Sequence, residues 1–336
     1  MKLSIFAYSR QGQRTASRIA EGFDAALYAP ERLAGEGFLP IEQPTAAFYG
    51  ERFRKSGALI FVSSCGIAVR CIAPHIRTKT DDPAVIAVDE LGHFVIPLLS
   101  GHVGGANELA GQIADRLGAT PVVTTATDIN GRFSVDSWAR YQGLIISDMG
   151  AAKEVSAAVL EGDVPFASDI TPAGDMPRGL VTGNTGGIGV YVTYTVNEPF
   201  RQTLRLIPKC LHLGIGCKRG TPKENIDEAV RTVFEEHRLD FRAVKCAASI
   251  DLKQDEEGLL EFCRENGVPV SFHSAECLNG VRGEFTSSDF VKKVTGVDSV
   301  CERAALVGAD ELIVKKTALG GVTVAVALEK TEVRFG

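Results

Sequence analysis

Short apolar runs of strand length alternate with stretches of helical period through the first part of this chain, and that alternation narrows the possible folds more than any other feature. KLSIFAYS and GALIFVSS read as strands, QRTASRIAEGF as a helix between them, and GIAVRCIAPHI as a short helix after the second. PAVIAVDELGHFVIPLL splits into two β-rich runs about Leu91 and Gly92, which predicts a hairpin. Leu109, Ile113 and Leu117 then recur at helical spacing with Ala110 and Ala114 beside them, and Gly118 supplies a stop. TPVVTT follows as a further strand. Strand and helix in alternation imply an α/β sheet, whose ligands favour the carboxyl ends of the strands.

From about Asp136 the pattern weakens. SWARYQG and AAKEVSAAVLEG read as helices, and DITPAGDMPRGLVTGNTGGIGVYVTY as loop followed by strand. GNTGGIG has the glycines of a phosphate loop but no following Lys-Ser/Thr, so a turn is the better reading. A second α/β unit opens at KCLHLGIGCKRGTPKENIDEAV, where Thr221 is the expected N-cap, Pro222 fits the first turn, and Glu224 completes a T-x-x-E box. Beyond it DEEGLLEFCREN, SSDFVKKVTG and SVCERAALVGA read as helices, VPVSFHS as a strand, and ELIVKKTALGGVTVAVALE as a hairpin about Gly320 and Gly321. The expected organisation is an N-terminal α/β domain over residues 1–135, a small middle domain or connector over 136–208, and a C-terminal α/β domain over 209–336. A chain of 336 residues is long enough for that many cores.

A net charge of −6 argues against a surface made generally for nucleic acid or anionic lipid, so an anionic ligand has to be met by local positive charge. The longest apolar runs fall far short of the ~20 residues of a membrane span, and the N-terminus lacks the pattern of a signal peptide, so the expected location is cytoplasmic. The cysteines at 65, 71, 210, 217, 246, 263, 277 and 301 form no C-x-x-C pair, and the histidines show no zinc-site spacing. Reduced thiols and no protein-bound metal are expected.

Three passages carry candidate chemistry. In SGHVGGAN, Gly101, Gly104 and Gly105 let a ligand approach the backbone of a helix start, Asn107 can cap or donate, and His102 titrates near neutral pH. A tight turn with a solvated histidine is the equal alternative. In SSCGIAVRCIAPHIRTKTDD a strand end delivers Ser63, Ser64 and Cys65, Gly66 loosens the backbone, and Arg70 follows on the next helix. The framing of a nucleophile elbow is absent, so donation to a ligand is preferred over covalent attack. Arg70, Arg77 and Lys79 can neutralise carboxylates, or lie on a solvated face. GIGCKRGTPKEN offers Gly214, Gly216 and Arg219, with Lys218, as a second anion-binding helix start. Its G-x-G-x-x-x-G spacing and Asp240 match a dinucleotide fingerprint only loosely. Ser249, Asp251 and Lys253 in CAASIDLKQDE form a further polar loop.

Taken together, SSCGIAVRCIAPHI, LLSGHVGGANELA, VVTTATD, LGIGCKRGT, SIDLKQDEEGL and SVCERAALVGA resemble the motifs of the cobalt-precorrin-5A hydrolase family, CbiG, in the family's order across nearly the whole chain. The resemblance implies three parts, the last similar to the stand-alone protein CobE. It also implies an enzyme of anaerobic cobalamin biosynthesis that opens the δ-lactone of a cobalt-bound tetrapyrrole and expels acetaldehyde. The substrate then brings the cobalt, no other cofactor is needed, and neighbouring pathway enzymes are possible partners. Such a substrate is flat, apolar across its faces and ringed by carboxylates, which calls for several separate anion sites. His102 is the expected general base or proton shuttle, with Asp89 and Glu108 as lesser candidates, and the Gly101 to Gly105 loop holds the oxyanion. The remaining candidates bind substrate, and His75, His93, His102 or His212 could add an axial ligand to cobalt. A non-catalytic corrinoid carrier and a nucleotide-dependent enzyme are the alternatives.

Overall fold

A computed structural model describes residues 2–78, 81–101 and 104–335. Contacts divide the chain into two units, Met1–Trp138 and Ala139–Gly336. The first runs β1 (Leu3–Ala7), α1 (Arg10–Ala20), β2 (Ala25–Ala29), β3 (Phe38–Pro40), α2 (Thr45–Lys55) and β4 (Ala58–Val62). Then come α3 (Cys65–Ile72), a one-turn 3-10 segment (Ala73–His75), β5 (Ala84–Val88), β6 (Phe94–Leu99), α4 (Ala106–Leu117) and β7 (Thr120–Pro121). The short helix α5 (Ala126–Ile129) follows, and the boundary between the units falls within α6 (Val135–Tyr141).

The strands hydrogen-bond in the order β3-β2-β1-β4-β5-β6-β7. All neighbours are parallel except β5 and β6, the hairpin that the sequence predicts. Every residue of β1 and β4 is buried, because helices cover both faces of the sheet. Alternate side chains supply alternate cores. Ile5 and Ile60 pack with Ile19 of α1 and Leu109, Ile113 and Leu117 of α4. Phe6 and Phe61 face the other way, against Phe48, Tyr49 and Phe53 of α2 and Ala68 and Ile72 of α3. Ser9 caps α1 by accepting from the Gly12 N–H, and Gly118 ends α4 in the left-handed region at φ 69°.

This topology has a functional consequence. β1 leads through α1 to β2 on one side, while its neighbour β4 leads through α3 to β5 on the other. The chain therefore diverges at the carboxyl ends of β1 and β4, the place where open α/β sheets leave a crevice for ligands. The segment from residue 24 to 56, which carries β2, β3 and α2, had no clear periodicity, so this divergence was hidden in the sequence. TPVVTT contributes only Thr120 and Pro121 to the sheet, since a proline at the edge cannot extend the ladder.

The second unit holds two principal sheets. The first is formed by β8 (Ile145–Ile146), β9 (Val164–Ser168), β11 (Leu180–Thr182), β12 (Ile188–Val192) and β13 (Gln202–Ile207), with α7 (Met149–Glu161) packed on it. Its order is β11-β9-β12-β13-β8, and β10 (Thr171–Ala173) pairs with β19 (Glu332–Arg334). The stretch read as loop is thus largely sheet, missed because its strands are short and broken by glycine and proline. GNTGGIG runs straight into β12 with no helix after it, as the turn reading expects.

The second sheet has the order β16-β15-β14-β18-β17. Its strands are β14 (Leu211–Cys217), β15 (Val244–Ile250), β16 (Val270–His273), β17 (Glu311–Leu319) and β18 (Val322–Leu328). The helices α8 (Lys223–Glu236) and α9 (Glu257–Glu265) bury Ile226, Val230, Phe234, Leu259 and Phe262 in its largest core. The helices α10 (Ala275–Gly280), α11 (Asp289–Thr295) and α12 (Val300–Leu306) lie between β16 and β17 in sequence. Pro222, not Thr221, is the N-cap of α8, because the Thr221 hydroxyl donates backwards to the Lys218 carbonyl at 2.7 Å. Glu302, inside SVCERAALVGA, is a fully buried carboxylate. It accepts from the Thr286 N–H and hydroxyl, the Ser299 hydroxyl and the Lys316 N–H, and those bonds hold it ionised below the usual range although burial pushes the other way.

Candidate functional site

The divergence at β1 and β4 brings together one of the three candidate passages. Ser63 is buried and its N–H donates to the Val88 carbonyl, fixing the exit of β4 beside β5. Ser64 is the N-cap of α3 and makes no side-chain capping bond, Cys65 opens the helix, and Gly66 is exposed. Arg70, one turn on, reaches back to the Gly66 carbonyl at 3.2 Å. Beside this exit, the Tyr8 and Tyr49 hydroxyls meet at 2.6 Å with the Cys71 sulfur 3.9 Å from Tyr8. Burial, reinforced by this crowding, raises the pKa of Tyr8, and burial likewise raises that of Tyr49, so both phenols stay neutral.

The glycine-rich loop after β6 lies at the other end of the sheet. Leu99 pairs with Val85 at the start of β5, whereas Val62 pairs with Val88 at its end. A strand of this length separates the two loops by about 13 Å. Ser100 takes a left-handed φ of 58°, its hydroxyl donates to the Asp82 carbonyl at 2.9 Å, and Gly105 caps α4 at φ 76°. A Cβ on Gly104 would stand 2.3 Å from the Ser100 Cβ, and one on Gly101 would stand 2.8 Å from the Asn107 side-chain oxygen. Close folding of the loop on itself thus accounts for these two glycines. The N–H groups of Ala106 and Asn107 turn back to the Ser100 and Gly101 carbonyls, which removes two donors that the bare sequence offers to a ligand. Asn107 does not cap the helix; its amide donates to Thr125 and to the Asp128 carboxylate. His102 and Lys79 lie outside the described residues. Arg77 does join this end, since its N–H donates to the Asp82 carboxylate.

Of the lesser acid–base candidates, Asp89 has a turn to hold. Its oxygens accept from the N–H groups of Leu91, His93 and Phe94 at 3.0, 2.8 and 2.6 Å, closing the β5–β6 hairpin. Glu108 is exposed in the first turn of α4 and accepts from Gln112.

The passage after β14 is occupied by the protein itself. A Cβ on Gly214 would come 1.8 Å from the Cys301 carbonyl, so this glycine is bare because α12 lies directly on the strand. Gly216 is similarly confined by the Thr323 hydroxyl at 2.5 Å. Arg219 forms a two-bond pair with Asp255 at 2.9 and 3.1 Å, and the Gly220 N–H donates to the buried Glu256 carboxylate, whose second oxygen takes Lys253 at 3.0 Å. The open pocket here, about 500 Å³, is lined by five carboxylates and two cations, Arg219 and Lys223. Its charge repels an anionic ligand. Ser249 donates to the Ile215 carbonyl inside the sheet. Asp240, the loose match to a ribose-binding acid, is buried between Arg205 and Arg242. His212 has both ring nitrogens engaged, one with Glu329 at 2.9 Å and the other with the Val307 carbonyl at 3.3 Å, so it is unsuited to ligate cobalt. Among the described residues no group of three His, Cys, Asp or Glu side chains is placed to hold a metal ion, and no helix is long and apolar enough to cross a membrane.

Sequence comparisons agree with the motifs. Residues 47–128 match the model of the cobalamin synthesis G N-terminal region and residues 211–327 that of the cobalamin synthesis G C-terminus. The chain is 33% identical to a cobalt-precorrin-5A hydrolase of Salmonella typhimurium, covering 96% of both chains. It is 33% identical to the enzyme of the same name from Priestia megaterium over 82% of this chain and 79% of that one. It is also 31% identical to the protein CobE of a Sinorhizobium species over 35% of this chain and 79% of the relative. Six ordered motifs, an α/β fold at each end and identity along almost the full length lead to one assignment: the chain belongs to the CbiG family.

Proposed function

We propose that this chain hydrolyses cobalt-precorrin-5A, opening its δ-lactone and releasing acetaldehyde to give cobalt-precorrin-5B. The observation that carries this reading is the identity of 33% with a named hydrolase over 96% of each chain. In the proposed reaction water attacks the lactone carbonyl, the acyl carbon–oxygen bond breaks, and a carboxylate and a hydroxyl result. The hydroxyl so freed gives up its proton and its oxygen becomes the carbonyl oxygen of acetaldehyde as the carbon–carbon bond to the ring breaks, the electron pair of that bond remaining on the macrocycle. His102 takes the proton from the attacking water, Glu108 is the alternative base, and backbone N–H groups of the Gly101 to Gly105 loop stabilise the oxyanion. Asp89 is a poor base by comparison, as its carboxylate already accepts three N–H groups. Ser64, Gly66 and Arg70 hold rim carboxylates of the substrate. Residues 209–336 are proposed as a CobE-like domain after a middle domain over 136–208. The engaged states of Gly214 and Arg219 favour a supporting role for that domain. Other enzymes of cobalamin biosynthesis are the proposed partners.

Anaerobic incubation with cobalt-precorrin-5A and a trap for carbonyl compounds tests the reading. More than one equivalent of acetaldehyde per chain is expected. Binding without aldehyde identifies a carrier, and a saturable thermal shift with NADPH or ATP identifies the nucleotide-dependent alternative.

A further inference from the structure

His212 lies at the amino end of β14, and no step of the proposed reaction uses it. It is 6% exposed, and the turn that leaves α12 rests on its ring, since a Cβ on Gly308 would stand 3.5 Å from the His212 Cε1. Both ring nitrogens face acceptors. Nε2 is 2.9 Å from the carboxylate of Glu329, just after β18, and Nδ1 is 3.3 Å from the carbonyl of Val307, the residue that ends α12. A neutral imidazole carries one N–H and one lone pair. Whichever tautomer it adopts, one of those acceptors meets a lone pair in a place that water hardly reaches. The imidazolium, with two N–H groups, donates to both.

We propose that His212 is a proton-operated latch: as an imidazolium it fastens the end of α12 to β14 and to the exit of β18, and loss of its proton on the alkaline side of neutrality releases that end. The latch does not depend on the hydrolase reading. It bears on the second unit because α12 is the element that lies on Gly214 and fills the passage after β14. The groups around the ring agree with a cation there. β15 contributes Cys246, in register with His212, and Lys245, whose ammonium bonds both Glu329 oxygens at 2.8 and 2.6 Å. Opposite the ring β18 presents only Ala327. Glu329 thus stands between two cations; burial pushes its pKa up, but the bonds from Lys245 and His212 outweigh it and hold the carboxylate below the usual range. Burial raises the thiol of Cys210, just before β14, to about 12, so it stays neutral. Asp310, after α12, accepts from the Lys330 N–H. The Cys246 sulfur and then the Glu329 carboxylate raise the His212 pKa to about 8 against burial, which lowers it. A histidine whose folded value stands above its unfolded one, ~6.5, stabilises the fold fully below that pH and loses the contribution as pH rises through about 8.

Two measurements on the full chain test the latch. NMR of carbon-13-labelled histidine side chains follows the six rings between about pH 5.5 and 9.5, and His212→Gln identifies the His212 signal by its loss. The expected midpoint for His212 is about 8, and Glu329→Gln returns it toward ~6.5. In thermal unfolding between about pH 6 and 9, the parent is expected to lose about 5 °C more than His212→Gln does. Where His212→Gln does not fold, the signal that Glu329→Gln moves is that of His212, and the unfolding comparison is made with Glu329→Gln. A His212 midpoint at or below ~6.5, or a loss with pH that runs parallel in parent and variant, overturns the latch.

Discussion

Replacing His102 with Gln lowers acetaldehyde release at least ~100-fold, with the rise in KM staying below about threefold. The size follows from what a positioned base contributes to proton removal from an attacking water. The split between kcat and KM follows from a role in the transition state and not in holding the ring. Other candidates in the same passages have other work. Asp89 accepts three N–H groups in the hairpin, and the Asn107 amide is turned toward Thr125 and Asp128. Glu108→Gln is the matched control and is expected to cost less than about tenfold. Measured by aldehyde trapping under anaerobic conditions, near-parent turnover in a folded His102→Gln protein would take the base away from His102, and a large loss in Glu108→Gln would move it there.

Asp240→Ala lowers stability by about 3–5 kcal/mol, the scale on which a buried cation loses its counter-charge. Asp240 is 5% exposed, and its oxygens accept from Arg205 at 2.6 Å and from Arg242 at 2.7 and 2.9 Å. The Arg205 side chain is itself only 13% exposed, and its remaining contacts are the Thr195 carbonyl at 3.2 Å and Glu198 at 3.7 Å. Without Asp240 that guanidinium stays out of water with too little negative charge around it. The unfolding midpoint is expected to fall on the order of 10 °C. The effect depends on pH. Burial raises the Asp240 pKa, but the bonds from Arg242 and Arg205 outweigh it and the net shift is downward. A carboxyl held below its unfolded value, ~3.9, stabilises the fold above that pH and loses its contribution as pH falls through the folded value. The gap between parent and variant is therefore full at neutral pH and narrows below about pH 4. A midpoint within 2 °C of the parent at pH 7 would show that the pair contributes nothing net. Since Asp240 has this structural task, the variant also separates stability from any supposed ribose contact.

The α/β class was legible because it depends on periodicity, which Leu109, Ile113 and Leu117 or the ALIFV run of β4 display without help from the rest of the chain. Strand order was not. It depends on β2, whose AALYA carries no alternation, and on the three-residue β3, so the divergence of the chain at β1 and β4 could not be located from sequence. The candidate site divides on similar lines. Ser63, Ser64, Gly66 and Arg70 are neighbours in sequence and stay neighbours at one strand exit. Gly214 misled because a glycine on a strand looks the same whether a ligand or α12 lies against it. Arg219 misled because its partner Asp255 lies 36 residues away. Glu302 escaped notice since a lone glutamate inside a helix gives no sign of being buried.

Hydrolysis in water enriched with oxygen-18 tests most directly whether water opens the lactone in the way proposed. With the isolated cobalt-precorrin-5B analysed by mass spectrometry, attack at the carbonyl places one solvent oxygen in the carboxylate formed from the lactone, together with release of acetaldehyde. An unlabelled carboxylate, or a lactone that the chain binds and returns intact, would contradict it.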